Sequence, residues 1–178
     1  MPTPLAFPPQ GRPGANAHGF GSIDYSDLDA VTSDGGGTPI TLAAGQWVRI
    51  VRNLAPSAAN LNPLSGPWAG FVHWSDGLLR ARAPGDLYAY KFSYRIVPAL
   101  RGSALRIAVR PAGNPEFDFG PQALVLAAEA GDEERGSVSF INQTRRRFAL
   151  SGAEIYMLST SGGTLLEFSP EITPQGYA

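Results

Sequence analysis

The chain has 178 residues, with 14 basic and 15 acidic side chains, a formal net charge of −1 and no cysteine. That length suits one substantial core. The composition excludes disulfide stapling, thiol catalysis, thiolate zinc sites and any global field that would draw the whole protein to nucleic acid or membrane.

Met1 to Gly21 holds five prolines and four glycines. Proline lacks the backbone donor a sheet needs, and glycine is costly to fix, so neither helix nor central strand is expected here. Residues 1–23 therefore read as an extended arm before a single body over residues 24–178. The arm is either a disordered leader or a segment that orders against a partner, with Leu5, Phe7 and Phe20 as anchors. Its opening, MPTPLAFPPQGRPG, has no continuous apolar run of the signal-peptide kind, and no stretch is long and apolar enough to insert in a membrane. Synthesis in a cytoplasm is the expectation.

Four aspartates fall between Asp24 and Asp34, without the glycine and glutamate of a calcium loop, and read as solvated turn residues. Thr38–Leu42 and Gln46–Arg52 read as strands, the second with Val48 and Ile50 opposite Trp47, Arg49 and Val51. Leu54 to Gly70 is rich in Asn, Pro and Gly and reads as a long irregular loop. Asp76-Gly77 is a tight-turn signal between Phe71–Trp74 and Leu78–Arg82.

Leu87–Val97, LYAYKFSYRIV, is the clearest strand. Tyr88, Tyr90, Phe92, Tyr94 and Ile96 share one parity, and Ala89, Lys91, Ser93 and Arg95 the other, giving an aromatic face and a wet face. Leu105, Ile107 and Val109 repeat the pattern against Arg106 and Arg110. Shorter pieces follow at Ala123–Ala128, Ser137–Ile141, Arg147–Leu150, Ala153–Ser159 and Thr164–Phe168. Ser161-Gly162-Gly163 joins the last two, and Ser169–Ala178 reads as an irregular tail. About eight to ten strands without a long amphipathic helix predict an all-β antiparallel sandwich, most simply a jelly roll.

No arrangement of residues makes a strong catalytic or cofactor motif, and no cofactor or metal is expected. His18 and His73 are the only histidines, and one lies in the arm. His73, Ser75 and Asp76 lack a nucleophile-elbow context. Glu116 and Asp118 can share a strand face, as paired carboxylates of a glycan-cleaving enzyme do, but the same parity also follows from two core aromatics, Phe117 and Phe119, facing away from solvated acids. Trp47, Trp68 and Trp74 suit either a sugar platform or a packed core. Arg145-Arg146-Arg147 is the densest basic patch. It reads as a solvated turn or as a site for inter-subunit salt bridges, and direct nucleic-acid binding is not expected.

The succession GSIDYSDLDA, TPITLAAGQWVRIVRN, PGDLYAYKFSYRIVP and SALRIAVRP resembles a group of small tailed-phage virion proteins, with NPLSGPWAG as a departure from their pattern. The looser topology resembles the trimeric jelly rolls of the tumour-necrosis-factor and complement type. The resemblance implies a homotrimer on the particle surface, assembled in the host cytoplasm, with structural roles for Trp47, Asn53, Tyr90 and Tyr94. On this expectation the protein is non-enzymatic and decorates or reinforces the capsid, with the major capsid protein or another virion protein as partner. Tyr88, Tyr90 and Tyr94 are then expected at the subunit interface. The alternatives are a head-fibre or tail-spike module holding a host-surface glycan on Trp68 and Trp74, and a glycan-cleaving enzyme using Glu116 and Asp118.

Overall fold

A computed structural model describes residues 20–31, 36–60, 63–114 and 119–177. The strands among them are β1 (Ile23–Asp27), β2 (Ile40–Leu42), β3 (Val48–Arg49), β4 (Leu54–Pro56), β5 (Trp74–Ser75), β6 (Leu78–Leu79), β7 (Leu87–Pro98), β8 (Ala104–Pro111), β9 (Phe119–Val125), β10 (Glu134–Gln143), β11 (Ala153–Ser159) and β12 (Gly163–Gly176). A short helix, α1 (Arg146–Ser151), joins β10 to β11.

Two six-stranded antiparallel sheets face each other. One runs β10-β7-β12-β1-β4, with β2 also on β12; the other runs β5-β6-β11-β8-β9, with β3 also on β11. The long strands cross between sheets in turn: β7 to β8, β9 to β10, β10 to β11 and β11 to β12. Strands distant in sequence thereby become neighbours, as the central β7–β12 pairing shows. This is the all-β antiparallel jelly-roll sandwich expected from the strand parities.

The aromatic parity of β7 lies inside. Tyr88, Tyr90, Phe92, Tyr94 and Ile96 are all buried, and opposite them lie Leu105, Ile107 and Val109 of β8 and Ile155 and Met157 of β11. Phe92 meets Phe140 and Phe168, each at 5.4 Å between ring centroids, and Tyr90 meets Phe140 at the same distance. Each such ring contributes about 1.5–3 kcal/mol through burial, and the tilted contacts add to it. The expectation that Tyr88, Tyr90 and Tyr94 lie between subunits is therefore corrected. Their rings fill the interior of one sandwich and have no surface left for a neighbour.

Turn chemistry fixes the small hairpin β5–β6. Asp76 and Gly77 have φ of 56° and 69°, the paired left-handed conformations of a type I′ turn.

Four other expectations are corrected. The stretch 54–70 is not wholly irregular, because Leu54–Pro56 pairs with β1 and Gly66–Trp68 makes a 3₁₀ turn. Residues 147–150 are helical, because the chain must cross from one sheet to the other there. The crossing is plugged by buried Phe148 and stopped at left-handed Gly152. Residues 169–176 are not a tail but the second half of β12. Phe168 gives its N–H to the Asp27 side chain on the β1 side, and Pro170 and Pro174 share its parity. Those prolines thus face away from β7 and remove no bond of the central ladder. Finally, Asp27 is buried rather than solvated. Its carboxylate lies 3.3 Å from buried Arg52 and accepts the N–H groups of Phe168 and Asp29 at 2.9 Å. Burial pushes this carboxyl up, against the pull of those donors and of Arg52.

Candidate functional site

With its aromatic parity inside, β7 presents Ala89, Lys91, Ser93 and Arg95 outward. The ladder registers place Ile141, Ser139, Ser137 and Arg135 of β10 beside them on one flank, and Thr173, Glu171, Ser169 and Glu167 of β12 on the other. Asp24 of β1 continues the row through Glu171. Six of the twelve side chains that β7, β10 and β12 place on this face are small: Ala89, Ser93, Ser137, Ser139, Ser169 and Thr173. Two shallow troughs cross it on either side of Lys91. One, of about 470 Å³, is lined by Ala89, Ser139, Ile141, Glu171 and Thr173; the other, of about 410 Å³, by Ser93, Arg95, Arg135, Ser137 and Glu167.

The charges on this face are sorted. Arg135, Lys91 and Arg95 stand on β10 and β7, whereas Glu167, Glu171 and Asp24 stand on β12 and β1. They meet along the seam between β7 and β12, where Lys91 lies 3.3 Å from Glu171 and Arg95 lies 3.5 Å from Glu167. Arg95 also reaches Glu133, just ahead of β10, and the carbonyl of Val31. Partial burial raises the Asp24 carboxyl, Glu171 adds to the shift and Lys91 opposes it. Ile141, 66% exposed, adds an apolar contact at the basic edge.

The two tryptophans expected to meet a glycan are corrected by burial: Trp68 is 0% and Trp74 5% exposed. Trp68 Nε1 donates to the Tyr88 hydroxyl at 2.9 Å, which in turn donates to Asp86, a buried carboxylate gripped by Arg82 at 2.7 and 3.0 Å. Burial pushes the Tyr88 hydroxyl up to about 12. Tyr88 thus has a hydrogen-bonding role that parity alone did not disclose. Phe20, expected as a partner anchor, is half-buried. Its ring packs on Trp68 at 4.5 Å and on Tyr177 at 5.8 Å within its own chain.

Arg145, Arg146 and Arg147 are exposed around the start of α1, just past the end of β10. Leu5, Phe7, His18, Glu116 and Asp118 lie outside the described residues. Among the described residues, no three His, Asp or Glu side chains are grouped to hold a metal ion.

Sequence reasoning missed a second surface feature, on the other sheet. The Arg110 guanidinium lies between the rings of Trp47 and Tyr156, at 4.7 and 4.6 Å, beside an Arg49–Glu154 pair at 3.2 Å. The alternation of β8 and β11 places Arg110 and Tyr156 on the outer face, but the register that brings Trp47 alongside is not visible in any one strand.

No protein-family model matches the sequence, and no curated protein matches it. Among solved structures, Eiger TNF from S. frugiperda is similar over 90% of this chain and 95% of that one, at 8% identity and a TM-score of 0.52. The PRD1 vertex protein P5 is similar over 88% and 98%, at 11% identity and 0.47. The globular domain of the zebrafish complement 1qA protein covers the same shares at 13% identity and 0.45. At such identities likeness bears on the fold alone. The likeness to Eiger TNF shows a jelly-roll sandwich of the tumour-necrosis-factor-like type.

Proposed function

We propose that this protein is a non-enzymatic structural component of a tailed-phage particle, a homotrimer that decorates or reinforces the capsid and is held there by its N-terminal arm. The observation that carries the reading is the outer face of β10-β7-β12-β1, where Arg135, Lys91 and Arg95 stand on β10 and β7 and Glu167, Glu171 and Asp24 on β12 and β1. Copies placed head to tail on such a face set the basic half of one against the acidic half of the next, and a rotation that closes gives a ring. The sequence resemblance to small virion proteins supplies the particle and the three-fold number. Leu5 and Phe7, flanked by Pro4 and Pro8, give the arm two apolar side chains at reduced ordering cost, suited to a groove on the major capsid protein or another virion protein.

The glycan-binding alternative has lost its platform, since Trp68 and Trp74 lie in the core. The enzymatic alternative rests on Glu116 and Asp118 and on no described geometry.

The test is co-sedimentation of purified protein, with and without residues 1–19, with undecorated capsids and with host cells. Capsid binding that requires the arm is the expected result. Cell binding without the arm, and none to capsids, would overturn the reading in favour of receptor recognition.

A further inference from the structure

His73 is completely buried, and one of its ring nitrogens has no partner. Nδ1 lies 3.2 Å from the Arg80 carbonyl, which can only accept, so Nδ1 carries the proton of the neutral ring. Nε2 is then a bare acceptor, and no donor reaches it. The ring stands edge-on to Phe71 at 4.7 Å and to Tyr88 at 5.2 Å. A second proton would add both a charge and an orphaned donor to this apolar slot.

The groups around the ring do little to shelter that charge. From β1, the Tyr25 hydroxyl accepts the backbone N–H groups of His73 and Trp74, at 2.8 and 3.2 Å. From the hairpin, Arg80 offers its carbonyl, while its guanidinium turns to Ser75 and Asp76. Ahead of β7, Asp86 is the carboxylate that acts on the ring, but Arg82 and the Tyr88 hydroxyl already claim it. Burial holds the His73 imidazole down to about 4, with the Arg80 carbonyl and Asp86 opposing.

The same residue ties several parts together. Its backbone carbonyl receives the Arg80 N–H at 2.7 Å and so closes the hairpin. Phe71, packed on the ring, donates its N–H to Trp68, whose ring carries Phe20 at the root of the arm.

We propose that His73 is an acid-sensitive clasp: protonation of Nε2 frees the segment 71–82 from β1 and β7, and loosens the Phe20–Trp68–Tyr177 cluster where the arm joins the body. The direction follows from linkage. A histidine held below its ordinary 6.5 binds its proton better in the open state, so closure is favoured above pH 6.5 and weakens as pH falls towards 4. At pH 5 the open form should be populated about 30-fold more than at pH 8. The inference does not depend on the capsid reading, since it concerns the isolated body.

The test is tryptophan emission and limited proteolysis between pH 8 and 4, on the wild type, His73→Phe and His18→Gln. The wild type and His18→Gln should red-shift reversibly and become cleavable within residues 71–82 between pH 6 and 4, whereas His73→Phe should not. An identical transition in His73→Phe, or none in the wild type, would overturn the proposal. Should His73→Phe fail to fold, NMR titration of the wild-type imidazoles decides. His73 must stay neutral until the tryptophan signal moves; titration near 6.5 in the closed form contradicts the clasp.

Discussion

The two faces of β7 divide the molecule's work. On the inner face, Tyr88, Tyr90, Phe92 and Tyr94 are buried, and the rings of Tyr90 and Phe92 meet Phe140 of β10, Phe92 also meeting Phe168 of β12. On the outer face, one residue along in each case, stand Ala89, Ser93 and two cations, Lys91 and Arg95, facing Glu171 and Glu167 of β12. One strand thus carries the core on one side and, on the function proposed above, the assembly surface on the other. Because side chains alternate strictly, substitutions one residue apart should separate folding from assembly.

The largest effect is expected inside. Phe92→Ala should destabilise the fold by about 3–5 kcal/mol, read as a fall in the denaturation midpoint, because its slot between Phe140 and Phe168 cannot collapse fully. An unchanged midpoint would put Phe92 outside the core. Asp27→Ala comes next, at about 3–5 kcal/mol in the same assay, since it leaves the Arg52 guanidinium buried without its carboxylate. The hairpin is worth less. Gly77→Ala forces a side chain into left-handed backbone at φ of 69° and should cost about 1 kcal/mol.

The smallest effect on stability, with the largest on assembly, belongs to the outer face. Lys91 pairs with Glu171 in the open, so Lys91→Glu should change the midpoint by less than about 1 kcal/mol. It should nevertheless dissociate the assembly, because it places like charge where the two halves meet. The paired exchange Lys91→Glu with Glu171→Lys should restore part of the association. Raised salt should weaken the wild-type assembly in the same direction.

The sandwich itself was legible because period two survives in single strands. Tyr88 to Ile96, Leu105 to Val109 and the Asp76-Gly77 turn each declare themselves locally. What pairs with what did not. Pro170 and Pro174 argued against a strand until the register showed their parity facing away from β7. Trp68 and Trp74 looked like a platform because nothing local tells a buried ring from an exposed one. The outer face was half legible: the wet parity of β7 was plain, but the sorting of charge depends on β10 and β12 lying on opposite flanks, which only the fold supplies. Asp27 and Arg52 are 25 positions apart in sequence, and nothing local marks them as a buried pair.

The most direct test is the mass in solution by light scattering, for the wild type and for Ser93→Arg, which fills the outer face without touching the core. The wild type should weigh three times the 18.8 kDa protomer, and Ser93→Arg should weigh one protomer with an unchanged denaturation midpoint. A wild-type mass of one protomer at micromolar concentration, or a trimer that survives Ser93→Arg, would contradict the assignment of assembly to this face.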